Sequence, residues 1–96
     1  MSMSIRQFQE LIHDRYYETD KARGVGTTWL WLSEELGELA SALARTERGE
    51  DVRENLHEEF ADVLAWLATL ANVNDVDLEK AIHDKYIADG GPSGTK

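Results

Sequence analysis

Two carboxylate pairs and one glycine set the geometry open to this chain. Glu35 and Glu38 lie in Glu34-Glu35-Leu36-Gly37-Glu38, and Glu59 and Asp62 lie in Glu58-Glu59-Phe60-Ala61-Asp62. Residues three apart share one face of a helix. Between the pairs the strongest helix breaker is Gly49, which follows Arg45 and Arg48 as a breaker follows a helix C-terminus. Both pairs are equidistant from Arg48-Gly49. An antiparallel hairpin turning there brings all four carboxylates to one level, ~18 Å from the turn at ~1.5 Å of rise per residue. Trp31 and Trp66 obey the same symmetry, one helical turn beyond the acids. Two indoles are therefore expected to face each other beside the carboxylates. Such a pair is either core packing or a stacking slot for a nucleobase, where stacking contributes ~1–3 kcal/mol.

Four converging carboxylates repel one another, so some must hold protons or the site must hold cations. No Lys or Arg stands three or four positions from Glu35, Glu38, Glu59 or Asp62. Local ion pairs therefore do not account for the pattern. An all-oxygen ligand set suits hard ions such as Mg²⁺ or Mn²⁺. Glu34 is turned ~100° from Glu35. It is either solvated or a base acting from outside the ligand set.

The remaining sequence narrows the class. A net charge of −9, from 19 acidic and 10 basic residues, leaves no basic block for nucleic acid. There is no cysteine, which removes disulfides, zinc thiolates and a cysteine nucleophile. No apolar run is long enough for a membrane span, and no signal peptide is evident. The expectation is a soluble, cytoplasmic, all-α protein: a small four-helix bundle built on an antiparallel hairpin.

Ser4 and Gln7 form a capping-box pattern for a first helix over Ser4 to Asp20, with Ile5, Phe8, Ile12 and Tyr16 as its buried stripe. Lys21-Ala22-Arg23-Gly24-Val25-Gly26 reads as a short basic loop, either a plain connection or a phosphate cradle. Thr27 or Thr28 is placed to cap a second helix ending near Arg48, with Leu32, Leu36, Leu39 and Leu43 as its core stripe. Gly37 inside it leaves room for close approach or for a ligand. Asp51 is placed to cap a third helix to Asn72, with Leu56, Phe60, Val63, Leu67 and Leu70 as its stripe and Leu64 widening it. Asp77 is placed to cap a fourth, Leu78 to about Ala88. Residues 90–96, rich in glycine, read as a flexible tail after a domain over residues 1–89. The apolar stripes exceed what one small chain buries, which predicts a homodimer or homotetramer.

These residues resemble a known family. Glu34-Glu35-Leu36-Gly37-Glu38 followed by Glu59-Phe60-Ala61-Asp62 is similar to the E-E-x-x-E … E-x-x-D signature of MazG-like nucleotide pyrophosphohydrolases. They belong to the all-α NTP pyrophosphatase superfamily, with dimeric dUTPases and phosphoribosyl-ATP pyrophosphohydrolases. The resemblance spans about Thr28 to Asp89. It implies Mg²⁺-dependent hydrolysis of nucleoside triphosphates to monophosphate and pyrophosphate. Glu35, Glu38, Glu59 and Asp62 then ligate the metal, and Glu34 is the additional acid that holds a second ion or orients water. The aromatic at position 66 lies near the base. Lys85 matches a lysine that, with Lys21 or Arg23, would hold outer phosphates. Asp89 stands where relatives carry Asn, and the Arg that often follows is absent. The same acids would serve a phosphoribosyl-ATP pyrophosphohydrolase. The rival from another class is a non-enzymatic acidic assembly or regulatory module.

Overall fold

The computed structural model describes residues 2–94, all helical or irregular, with no strand among them. Helix α1 covers Ile5–Arg23. Its start follows from the capping box: Ser4 Oγ accepts from the Gln7 N–H at 3.0 Å, and Gln7 Oε1 accepts from the Ser4 N–H at 2.8 Å. Helix α2 covers Val25–Glu47, α3 covers Arg53–Val73 and α4 covers Leu78–Ile82.

The expected basic loop at 21–26 is not there. Helix α1 continues to Arg23 and α2 begins at Val25, so Gly24 alone joins them. Gly24 makes the corner in one residue because it takes φ 87° and ψ 163°, a conformation that glycine adopts without steric cost. Thr28 is not a cap but lies inside α2. Its hydroxyl donates to the Gly24 carbonyl at 2.8 Å, and the residue is fully buried.

Helices α2 and α3 pack against each other, joined through the stretch that holds Gly49 at φ 87°. The turn is tied by the Gly49 N–H to Thr46 O at 2.9 Å and by Glu50, which pairs with both Arg45 and Arg48 at 3.1 Å. Asp51 does not cap α3. The helix starts two residues later, from Val52, without a side-chain cap.

Helix α1 packs along α3, and α4 leans on α1. Gln9 fastens this corner: its side-chain amide donates to Asn72 Oδ1 at 3.0 Å and to Val76 O at 2.6 Å, and its oxygen accepts from the Leu78 N–H at 2.9 Å. Asp77 caps α4 by accepting from the Lys80 N–H at 3.0 Å. The fourth helix is shorter than its pattern suggests. After Ile82 the turn widens over His83–Ile87, where the Ala88 N–H reaches back five residues to His83 O. A 3₁₀ turn over Ala88–Gly90 follows, and Asp89 in it has φ 55°, a left-handed conformation that stops the helix. Thr95 and Lys96 of the expected tail lie outside the described residues.

The core is small. Ile12, Leu32, Ala42, Ala68 and Ala71 are its buried apolar residues. Of the expected stripes only Ile12 and Leu32 are buried, while Tyr16, Leu36, Leu43, Phe60, Leu64 and Leu67 are exposed. Three long helices and a five-residue fourth cannot enclose stripes on every helix. The radius of gyration agrees: 15.3 Å exceeds the ~13 Å of a compact chain this long.

Candidate functional site

Helix α2 supplies Glu35 and Glu38, and α3 supplies Glu59 and Asp62, each pair on one face. Glu35, Glu38 and Glu59 converge so that one carboxylate oxygen from each lies within 4.8 Å of the others. Glu59 is buried, Glu35 half-buried and Glu38 exposed. Asp62 is exposed and stands outside this trio, although its charge acts on both Glu35 and Glu59.

The cluster lacks counter-charge. No ion pair among the described residues involves any of the four acids. Burial first, and then the charges of Glu38, Asp62 and Glu59, push Glu35 from 4.5 up to about 7. Burial, followed by the charge of Glu38, also raises Glu59. Asn55, one turn before Glu59, donates to its Oε1 at 3.2 Å. The other oxygens are stranded: Glu35 Oε2 and Glu59 Oε2 are buried without a hydrogen-bond partner. Buried acceptors are normally satisfied. Two orphaned carboxylate oxygens in an all-oxygen cluster fit a hard divalent cation. Asn55 escaped the sequence reading, although its position four residues before Glu59 is the signal that would have found it.

Glu34 is exposed, beside the trio in sequence. Gly37 has open space where a Cβ would stand, so no close helix approach requires it. Trp31 and Trp66 do face each other across the two helices. Their rings meet edge to face with centroids 5.5 Å apart, a packed pair with no gap for a base between them. Neither is core: Trp31 is exposed and Trp66 half-buried.

The basic residues are differently placed. Lys21 Nζ lies 5.9 Å from the Tyr17 ring centre and Lys85 Nζ lies 5.4 Å from that of Tyr86, and among the described residues neither pairs with an acid. Arg23 is held inward. Its Nη1 donates to Asp20 Oδ1 at 2.9 Å, and its guanidinium lies 4.6 Å from the Trp31 ring centre and 5.0 Å from that of Trp66. Asp20 is 3% exposed, and its second oxygen accepts from the Thr69 hydroxyl at 3.0 Å. The sequence reading missed both Asp20 and Thr69. The spacing Asp20-x-x-Arg23 signals the pair, but nothing local signals Thr69, 49 residues away.

This is an all-α protein whose two central helices carry an acidic site without its counter-charge. The family model of the MazG nucleotide pyrophosphohydrolase domain matches residues 23–88, and the chain belongs to that family. No curated protein matches it. Membership suggests a nucleotide pyrophosphohydrolase.

Proposed function

We propose that this protein hydrolyses nucleoside triphosphates to monophosphate and pyrophosphate with Mg²⁺, for which Mn²⁺ can substitute. The observation that carries the reading is the pair of orphaned buried oxygens on Glu35 and Glu59 within the three-carboxylate cluster. Glu35, Glu38 and Glu59 would hold the ion, with Asp62 completing the set from the same face of α3. When bound, the ion neutralises phosphate oxygens and acidifies water. On a −9 protein the ion would offset the negative charge that otherwise repels a polyanion.

The chain's own residues do the rest. Water attacks the α-phosphorus in line, a new P–O bond forms, and the bond to the β-phosphate oxygen breaks to release pyrophosphate. Glu34 orients that water and takes its proton. Lys85 and Lys21 are available for the outer phosphates. The exposed Leu36, Leu43, Phe60, Leu64 and Leu67 support a homodimer or homotetramer in which a second copy covers them. A cytoplasmic location goes with the proposed triphosphate substrate, and no described helix is long and apolar enough to cross a membrane.

The test is pyrophosphate release from a nucleotide panel, including phosphoribosyl-ATP, with Mg²⁺ or Mn²⁺. Turnover that Glu38→Gln abolishes supports the reading. No release from any nucleotide with either ion rejects it and favours a structural role for the acids.

A further inference from the structure

We infer that Arg23, clamped by Asp20 in a groove between α1 and α3, reads the base of the nucleotide and selects one with two adjacent hydrogen-bond acceptors on its edge. This rests on the nucleotide-hydrolase reading above and extends it to substrate choice. The groove holds about 300 Å³ and is lined by Ile12, Tyr16, Asp20, Arg23, Trp66 and Thr69, among others. That is the small end of ligand pockets, roughly 300–1,000 Å³, so it has room for a base and not for a whole nucleotide.

Its position suits a base. Trp66 stands one helical turn after Asp62 on the same face of α3, so their Cβ atoms are ~5–6 Å apart. Phosphates held at the carboxylates leave the base beside Trp66 and Tyr16, whose rings offer stacking surfaces. The walls are otherwise apolar, so the polar groups at the floor carry the discrimination.

Those polar groups are fixed. Asp20 is buried and both its oxygens are engaged, one by Arg23 and one by Thr69. The Thr28 hydroxyl also lies 3.5 Å from Arg23 Nη1. Arg23 is thereby locked in one plane with its side chain only 14% exposed. Among the described residues its hydrogen bonds all pass through Nη1, which leaves the Nε and Nη2 donors without a protein partner on a residue that lines the groove. A planar guanidinium matches two neighbouring acceptors in its own plane. Guanine presents O6 and N7 in this way, and cytosine presents O2 and N3. Adenine sets an amino donor beside its N7 and N1, while uracil and thymine place N3–H between their carbonyls. Most of α1, with Ile12, Tyr16 and Asp20, lies outside the stretch matched by the family model.

The experiment compares dGTP, dCTP, dATP and dTTP by kcat/KM for pyrophosphate release. Binding of the same four is followed by tryptophan fluorescence with Ca²⁺. Wild-type protein should favour dGTP or dCTP over dATP and dTTP by roughly 10-fold or more, the discrimination of a bidentate contact. The panel itself shows which of the two bases is read. Arg23→Lys keeps a positive charge for Asp20 but has no planar fork. It should bring the ratio close to one, and a ratio is insensitive to the fraction of folded protein. Turnover without base preference, preference for dATP or dTTP, or a preference that survives Arg23→Lys overturns the inference and leaves the hydrolase reading standing. Base-selective binding without any pyrophosphate release supports the inference and removes the hydrolase. No binding of any nucleotide removes both.

Discussion

Replacing Asp20 by alanine tests the polar floor of the groove as a structural element. Asp20 is 3% exposed and accepts two hydrogen bonds, from Arg23 at 2.9 Å and from Thr69 at 3.0 Å. Its loss strands a guanidinium and a buried hydroxyl together. Breaking a buried ion pair from one side costs ~3–5 kcal/mol. Arg23 keeps a little access to water at 14% exposed, which places the expected cost near the lower end, about 3 kcal/mol. For a domain this small 1 kcal/mol moves the melting temperature by ~4–8 °C, so the variant should melt roughly 12–24 °C lower. Thr69→Val removes only the hydroxyl and leaves the ion pair, for about 1.5 kcal/mol. The two changes share one partner and should not add: the double variant should be no less stable than Asp20→Ala. Urea unfolding at a fixed protein concentration measures all three, because association would otherwise contribute to stability. A cost below ~1 kcal/mol for Asp20→Ala, or full additivity of the two changes, would show that the network does not hold α1 to α3 and refute the argument.

Three further outcomes follow from the carboxylates and the exposed apolar face. Glu35, raised to about 7 by burial and by Glu38, Asp62 and Glu59, keeps a proton in the folded state that the unfolded chain has already released. Its contribution to the stability of the metal-free protein is thus fully present below about pH 4.5 and lost as pH rises through about 7. A pH series of melting temperatures in chelator should fall over that window and flatten in Glu35→Gln, and a rise in wild type would contradict the assignment. Mg²⁺ at 100 times its Kd should add ~2.7 kcal/mol, and Glu38→Gln should lose that shift. An unchanged Mg²⁺ response in the variant takes Glu38 out of the site. Light scattering at micromolar concentration should show a dimer or tetramer, with Phe60→Glu shifting it toward monomer, whereas a wild-type mass of 10.9 kDa would rule out association.

How legible the molecule was depends on the range of the interactions. The Ser4 and Asp77 caps are local and were readable, since donor and acceptor lie three residues apart. The meeting of Glu35, Glu38 and Glu59 was readable because a single glycine turn and the helical period fix the register of α2 against α3. Four things were not. The corner at Gly24 looked like a loop because Lys21, Arg23 and Gly26 are loop-compatible, and only backbone geometry shows that one residue suffices. The leucine stripes read as core because periodicity identifies an apolar face without saying what covers it. The Asp20–Thr69 hydrogen bond joins residues far apart in sequence, and no local pattern encodes it. The turn over His83–Ile87 departs from the α-helix its pattern implies.

The junction at Gly24 also governs how this groove can change. One wall stands on α1 and the other on α3, and α1 is joined to α2 by a residue at φ 87°. A side chain there would be strained even though space is open around it. With no slack at this corner, α1 cannot be shifted against α2 by adjusting the length of their connection. Width and chemistry must instead be altered in place, through Ile12, Tyr16, Arg23, Trp66 and Thr69. Substrate range in this chain should accordingly shift by single substitutions on rigid helices, in discrete steps, with the carboxylate cluster left where it is.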